Sequence, residues 1–79
     1  MSPKIAVLAG DYAQYATYCL ENDLDPDRDA RHVVNESCFR EVKFRYFIKV
    51  GTWNTVPLHI IEEFEFQKTI SAYHYLADE

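Results

Sequence analysis

The residues of this chain whose types suit chemistry gather at two corners that read almost alike. IAVLAGDY at residues 5–12 and YFIKVGTW at residues 46–53 each run an apolar segment into a glycine, a polar residue and an aromatic, and Gly10 and Gly51 are the only glycines in the 79 residues. Asp11 supplies a carboxylate, Thr52 a hydroxyl, and Tyr12 and Trp53 two large aromatic faces. Asn35, Glu36 and Ser37 form a third polar group after the pair Val33–Val34. Such a set can stack a ring and hydrogen-bond a sugar hydroxyl. Catalysis asks for a nucleophile beside a base, or for paired carboxylates in a pocket. Only Asp11, Glu36 and Ser37 offer that, and only if the fold brings them to one crevice. A simpler reading competes: Asp11 caps a helix, Tyr12 and Trp53 cover the ends of a sheet, and each glycine allows a tight turn.

Several familiar chemistries are excluded by spacing. Dinucleotide binding through G-x-G-x-x-G needs a second glycine where Tyr12 stands, and Asp11 would repel a phosphate at the helix start. The phosphate-loop pattern with its Lys and Ser/Thr is absent as well. Asp23, Asp25, Asp27 and Asp29 alternate like the start of an EF-hand loop. The sixth and twelfth positions, where such a loop carries Gly and Glu, are Arg28 and Val34. His32, His59 and His74 make no i, i+4 pair, and no cysteine lies at zinc spacing. No catalytic residue, metal ligand or cofactor is assigned.

The elements that must position the two corners follow from periodicity. Residues 4–9 (KIAVLA) are apolar without alternation, as in a central strand covered on both faces. Gly10 closes the strand and Asp11 is a good N-cap. Tyr12, Tyr15, Ala16, Cys19 and Leu20 fall at helical spacing, so residues 12–22 should form a helix with that stripe on the sheet. Asn22 or Asp23 can end it, and Pro26 forbids continuation. Residues 31–35 read as a short second strand. Ser37 can cap one helical turn over residues 38–42. Residues 44–50 read as a third strand with Phe44, Tyr46, Ile48 and Val50 on one face and Arg45 and Lys49 on the other, an edge strand or one with a partly solvated face.

Asn54 or Thr55 can cap the last helix, with Pro57 in its first turn and its end near residue 77. That helix is on the order of 30 Å long at 1.5 Å per residue, and it outruns a seven-residue strand of about 23 Å. Leu58, Ile61 and Phe64 make an inner stripe. Phe66, Ile70, Tyr73 and Ala77 make another that is rotated away, and Tyr75 and Leu76 add apolar surface. Either the helix bends so that all of it packs on one core, or the second stripe, with Phe66, Ile70, Tyr73 and Leu76 as candidate contacts, is an interface. The order β-α-β-turn-β-α predicts one α/β domain over residues 1–79. It is a minimal three-stranded parallel sheet in spatial order 2-1-3, half of a flavodoxin-like or Rossmann-like domain, with a long C-terminal helix. In that arrangement Gly10, Asp11, Tyr12, Gly51, Thr52 and Trp53 meet at the crevice beyond the carboxyl ends of strands 1 and 3, flanked by Asn35, Glu36 and Ser37.

Composition narrows the partners. The formal net charge is −5 and the 8 Lys and Arg are spread along the chain, so there is no basic patch for phosphate contacts. Neither nucleic acid nor an anionic membrane surface is an expected partner, and no stretch reads as a signal peptide or a bilayer span. The two cysteines fit a reduced cytoplasm and no bond between them, with Cys19 in the core and Cys38 in an exposed connection.

VLAGDYAQYATYCLENDLDP followed by a strand ending KVGTW resembles a group of small bacteriophage-encoded proteins, many of unknown function. Gly10 to Tyr12, Leu24 to Pro26, Val50 to Trp53, and Pro57 carry the likeness, which covers most of the chain. It implies an accessory gene product acting in the cytoplasm of an infected bacterium, and it transfers no catalytic residue. A second likeness, of KIAVLAG to the opening of nucleoside deoxyribosyltransferases, covers one strand and stops there. The expectation is therefore a non-enzymatic protein that binds a host or phage protein and self-associates, as a homodimer or a higher oligomer. The alternative is a protein that binds a nucleoside or nucleotide-derived small molecule in the Gly10/Gly51 crevice.

Overall fold

The computed structural model describes residues 4–77, with the side chains of Glu41 and residues 74–77 excepted. Its elements are β1 (Ile5–Ala9), α1 (Tyr12–Glu21), β2 (Ala30–His32), α2 (Cys38–Glu41), β3 (Tyr46–Val50) and α3 (Leu58–Ala77), with a 3-10 turn over Trp53–Thr55 before α3. The three strands form one parallel sheet in the order β2-β1-β3. Ile5 pairs with Ala30 on one side and with Tyr46 on the other. The expected α/β class, parallel sheet, strand order and C-terminal helix are all present.

β1 lies in the middle because its side chains are apolar on both faces. Val7 and Ala9 meet Tyr15 and Cys19 of α1 and Ala30 of β2. Ala6 and Leu8 meet Val33, Phe44 and the α3 residues Ile60 and Phe64 on the opposite face. Alternation along one strand thus feeds two cores, and the sheet is sandwiched between α1 and α3.

α1 begins as its sequence dictates: Asp11 is extended and its carboxylate accepts from Gln14 N–H at 2.9 Å. It ends in a Schellman turn. Asp23 takes the left-handed conformation at φ 56°, and Leu24 N–H reaches the Cys19 carbonyl at 2.8 Å. The acidic connection that follows is a set of turns: Asp29 accepts from Asp25 N–H, and Asp25 accepts from Asp27 N–H. The inner stripe of α1 is narrower than its sequence implies. Tyr15 and Cys19 are buried, but Leu20 is 82% and Tyr12 59% exposed, because a three-stranded sheet is too narrow to cover all five positions.

Other differences have local causes. Arg45 N–H and Tyr46 N–H both donate to the Lys4 carbonyl, at 2.8 and 3.0 Å. This doubled contact shifts the alternation by one before β3 starts, so Phe44 joins Phe47 on the α3 face, while Ile48 and Val50 face α1. Ser37 does not cap α2; its backbone N–H and its hydroxyl both reach Asn35 Oδ1. Asn54 and Thr55 lie in the 3-10 turn, and Thr55 Oγ1 donates to the Thr52 carbonyl. Pro57 precedes the first residue of α3 and accepts from Ile60 and Ile61. Cys38, expected at the surface, is buried, and both cysteines are free thiols. Among the described residues no helix is long and apolar enough to cross a membrane.

Candidate functional site

In a parallel sheet the strands deliver their carboxyl ends to one rim, where the chain leaves β1 for α1 on one face and β3 for α3 on the other. Gly10, Asp11, Gly51 and Thr52 do meet there, and the residue that joins them is Gln14. Its Oε1 accepts from Gly10 N–H at 3.0 Å and from Thr52 N–H at 2.9 Å, and its Nε2 donates to Thr52 Oγ1 at 2.9 Å. One carboxamide therefore ties the end of β1 to the end of β3.

This explains both glycines. A Cβ on Gly10 would overlap Thr52 Oγ1 and lie 2.9 Å from the Thr52 carbonyl oxygen. One on Gly51 would lie 2.7 Å from Gln14 Cδ, on a backbone already at φ +56°. They are glycines because the bridge closes directly over them. A shallow hollow of about 380 Å³ remains outside it, lined by Asp11, Gln14, Tyr18 and Gly51 among others.

The other predicted residues go elsewhere. Tyr12 leans toward β2, with its ring centroid 5.6 Å from Tyr15 and 6.0 Å from His32. Tyr15 and His32 stack at 5.1 Å with 12° between their planes, and Tyr15 Oη donates to the Pro26 carbonyl at 2.5 Å. Burial pushes the Tyr15 phenol well above its ordinary range. Burial also lowers the His32 pKa, against the opposing pull of a hydrogen bond to the Ala9 backbone and the charge of Asp11. Trp53 turns to the α3 face, where it packs on the core with Lys49 Nζ 4.4 Å over its ring. The same ammonium lies 2.5 Å from Glu65, whose pKa it lowers.

Asn35 is engaged by Ser37, and Glu36 lies 4.0 Å from His59 at the start of α3. Asp11 and Glu36 are thus held at the starts of helices on opposite faces of the sheet, which separates the one carboxylate pair that offered catalysis. Among the described residues no group of three or more His, Cys, Asp or Glu is arranged to hold a metal ion.

Two contributors were invisible in the sequence analysis. Gln14 sits on a helix between Tyr12 and Tyr15 and reads as solvent-facing there; only the approach of β3 gives it partners. His32 carries no motif, and the strand expected over residues 31–35 put it near the start, whereas β2 ends at His32 and so delivers it to the rim.

A second feature lies on the α3 side. Phe39, Val42, Phe44, Phe47 and Ile70 wall an open cleft of about 250 Å³ between α2 and α3. Next to it, Phe66, Ile70 and Tyr73 are 57%, 45% and 78% exposed. They stand on the side of α3 away from Ile60 and Phe64, which carry its contact with the sheet. Leu58, expected inside, is exposed, because Ile60 takes the inward position once Pro57 fixes the helix start. Leu76 and Ala77, expected in the same outer stripe, have side chains outside the described residues. No protein-family model, curated protein or solved structure matches the chain.

Proposed function

We propose that this chain is a small phage accessory protein that acts in the bacterial cytoplasm by binding protein, catalyses no reaction of its own, and self-associates through the outer face of α3. The observation that carries the reading is the exposure of Phe66, Ile70 and Tyr73 in a row on the side of α3 that the sheet does not use. Contiguous apolar surface on a small chain marks an interaction site more often than a chance exposure. The closed Gln14 bridge supports it too, since it occupies the two strand-end N–H donors and leaves only a shallow hollow outside. The phage origin rests on the likeness at Gly10 to Tyr12, Leu24 to Pro26, Val50 to Trp53, and Pro57. The order β2-β1-β3 with helices on both faces supports reading the fold as a Rossmann-like or flavodoxin-like half.

The alternative, a nucleoside or nucleotide-derived ligand at the rim, has one observation in its favour. Gly10 N–H and Thr52 N–H converge on a single oxygen of Gln14, a position that a ligand oxygen would take by displacing the side chain.

Native mass spectrometry of gently purified protein, paired with sedimentation velocity, decides between them. Self-association predicts a ligand-free oligomer that Phe66→Ser with Tyr73→Ser converts to a monomer of unchanged circular dichroism. A wild-type monomer, or one carrying a co-purifying small molecule, overturns the reading.

A further inference from the structure

From the open edge of the sheet we infer that β3 takes up an extended segment of a partner protein as a fourth strand. Alternate side chains of that segment enter the hollow beside α1, and a Lys or Arg is among them. The inference rests on the reading of the chain as a protein binder and adds the chemistry of what it binds.

Backbone geometry identifies the occupant as a strand. In the order β2-β1-β3, β3 is paired on one side only. Tyr46 N–H donates to the Lys4 carbonyl, toward β1. Backbone groups alternate along a strand, so Ile48 and Val50 also turn to β1, while the N–H and C=O of Phe47 and Lys49 point to the open side. Among the described residues no backbone bond reaches them from that side. Another extended backbone matches such a row group for group, whereas a helix has spent its own N–H and C=O internally.

Two features set this edge apart from the opposite one. β2 has 3 residues, and so short an edge strand offers little to pair with, whereas β3 has 5. Lys49, the charge that would guard the edge of β3, is drawn onto the α3 face by Glu65 and Trp53.

The surface beside the edge suits side chains. Ile48 and Val50 are only half-buried under α1, and Tyr46 on the same face is half-exposed. The hollow of about 380 Å³ lies in the angle between α1 and β3, since Thr17, Tyr18 and Glu21 line it together with Val50 and Gly51. A strand added about 4.8 Å from β3 directs every second side chain to that face. The charged residues of the lining are Asp11 and Glu21, both acidic, so a basic side chain complements it.

The probe is a capped peptide of alternating Thr and Val with an Arg at one central Val position, titrated against the full chain. In the free protein the Phe47 and Lys49 amides should exchange faster than those of Ile48 and Val50, and saturating peptide should slow them about tenfold or more. Lys49→Pro removes an outward donor and spares the bonds to β1, so it should weaken binding about tenfold, whereas Lys49→Ala keeps the N–H and should bind as the wild type does. Glu21→Lys should weaken binding of the Arg peptide and not of its Gln counterpart. A check that needs no protein variant is N-methylation of the peptide: on one alternate set of residues it should abolish binding, and on the other it should spare it. Binding that survives Lys49→Pro, or that is lost with both methylated sets or with neither, overturns the inference, as does no binding at millimolar peptide. Concentration-dependent protection of Phe47 and Lys49 in the protein alone means that a second copy lies on this edge, and overturns it too. Self-association through α3 is read apart from this, because Phe66→Ser with Tyr73→Ser changes the oligomer and should leave peptide binding as it was.

Discussion

Replacing Gln14 by alanine should cost this protein more stability than its place on a helix surface suggests. In the wild type its Oε1 takes the Gly10 N–H, which is partly buried, and the Thr52 N–H, which is exposed. Truncation leaves the Gly10 donor without a partner, a loss of about 1–3 kcal/mol, whereas Thr52 N–H turns to water at a net loss nearer 0.5–1.5 kcal/mol. Alanine recovers a few tenths through its higher helix propensity. The sum spans about 1–4 kcal/mol and centres at about 2.5 kcal/mol, a large share of the roughly 5–15 kcal/mol typical of a domain. At about 4–8 °C per kcal/mol for a chain of this size, the midpoint should fall by about 10–20 °C. Thermal and urea unfolding followed by circular dichroism reads the total, and amide exchange at Gly10 and Thr52 reads the bridge itself. Gln14→Glu is the sharper variant, because it keeps an acceptor for both N–H groups and should recover most of the loss. A change below about 0.5 kcal/mol in Gln14→Ala, or Glu proving no better than Ala, would refute the account of the bridge as shared acceptance of two strand-end donors.

Two further outcomes follow from the rim. His32 has its pKa depressed by burial, so the unfolded chain binds its proton more readily. Stability should hold above the ordinary imidazole value of about 6.5 and fall as pH drops below it toward the folded-state pKa. Glu65, held down by Lys49, adds its own loss at lower pH. His32→Phe should remove the first part of that slope in urea midpoints measured against pH, and an unchanged slope would count against the assignment. Tyr15→Phe deletes the donor to the Pro26 carbonyl and should lower stability by about 1 kcal/mol, with faster exchange of amides in the 22–29 connection.

How far the sequence carried these conclusions depends on whether a residue's partners are local. The central strand, the Asp11 cap and the end of α1 at Asn22–Asp23 were legible because each rests on hydropathy or on contacts within a few residues, and the strand order 2-1-3 because right-handed crossovers leave few alternatives. Phe44 was assigned to the wrong face, since the doubled hydrogen bond to Lys4 that shifts it is a long-range event. Trp53 was expected at the crevice, but the 3-10 turn after Thr52 carries it to Lys49 and the α3 core. The tight turn expected at Gly51 is present at φ 56°, but the contact of Gln14 over both glycines was not legible, for Gln14 acquires its role only when β3 docks beside β1. Asp11 and Glu36 were legible as carboxylates at the ends of strands, yet which face each occupies is set by helices that leave the sheet in opposite directions.

The position of β1 has a consequence for how the chain is made. β1 is made before both of its neighbours in the sheet, and one of them is β3, ending at Val50. At about 5–20 residues per second, roughly two to eight seconds separate the synthesis of Ala9 from that of its partner Val50. Throughout that interval β1 has an open hydrogen-bonding edge and an uncovered apolar face, because Ile60 and Phe64 are not yet made. Of the three strands, the one made first is thus covered in full only when α3 follows.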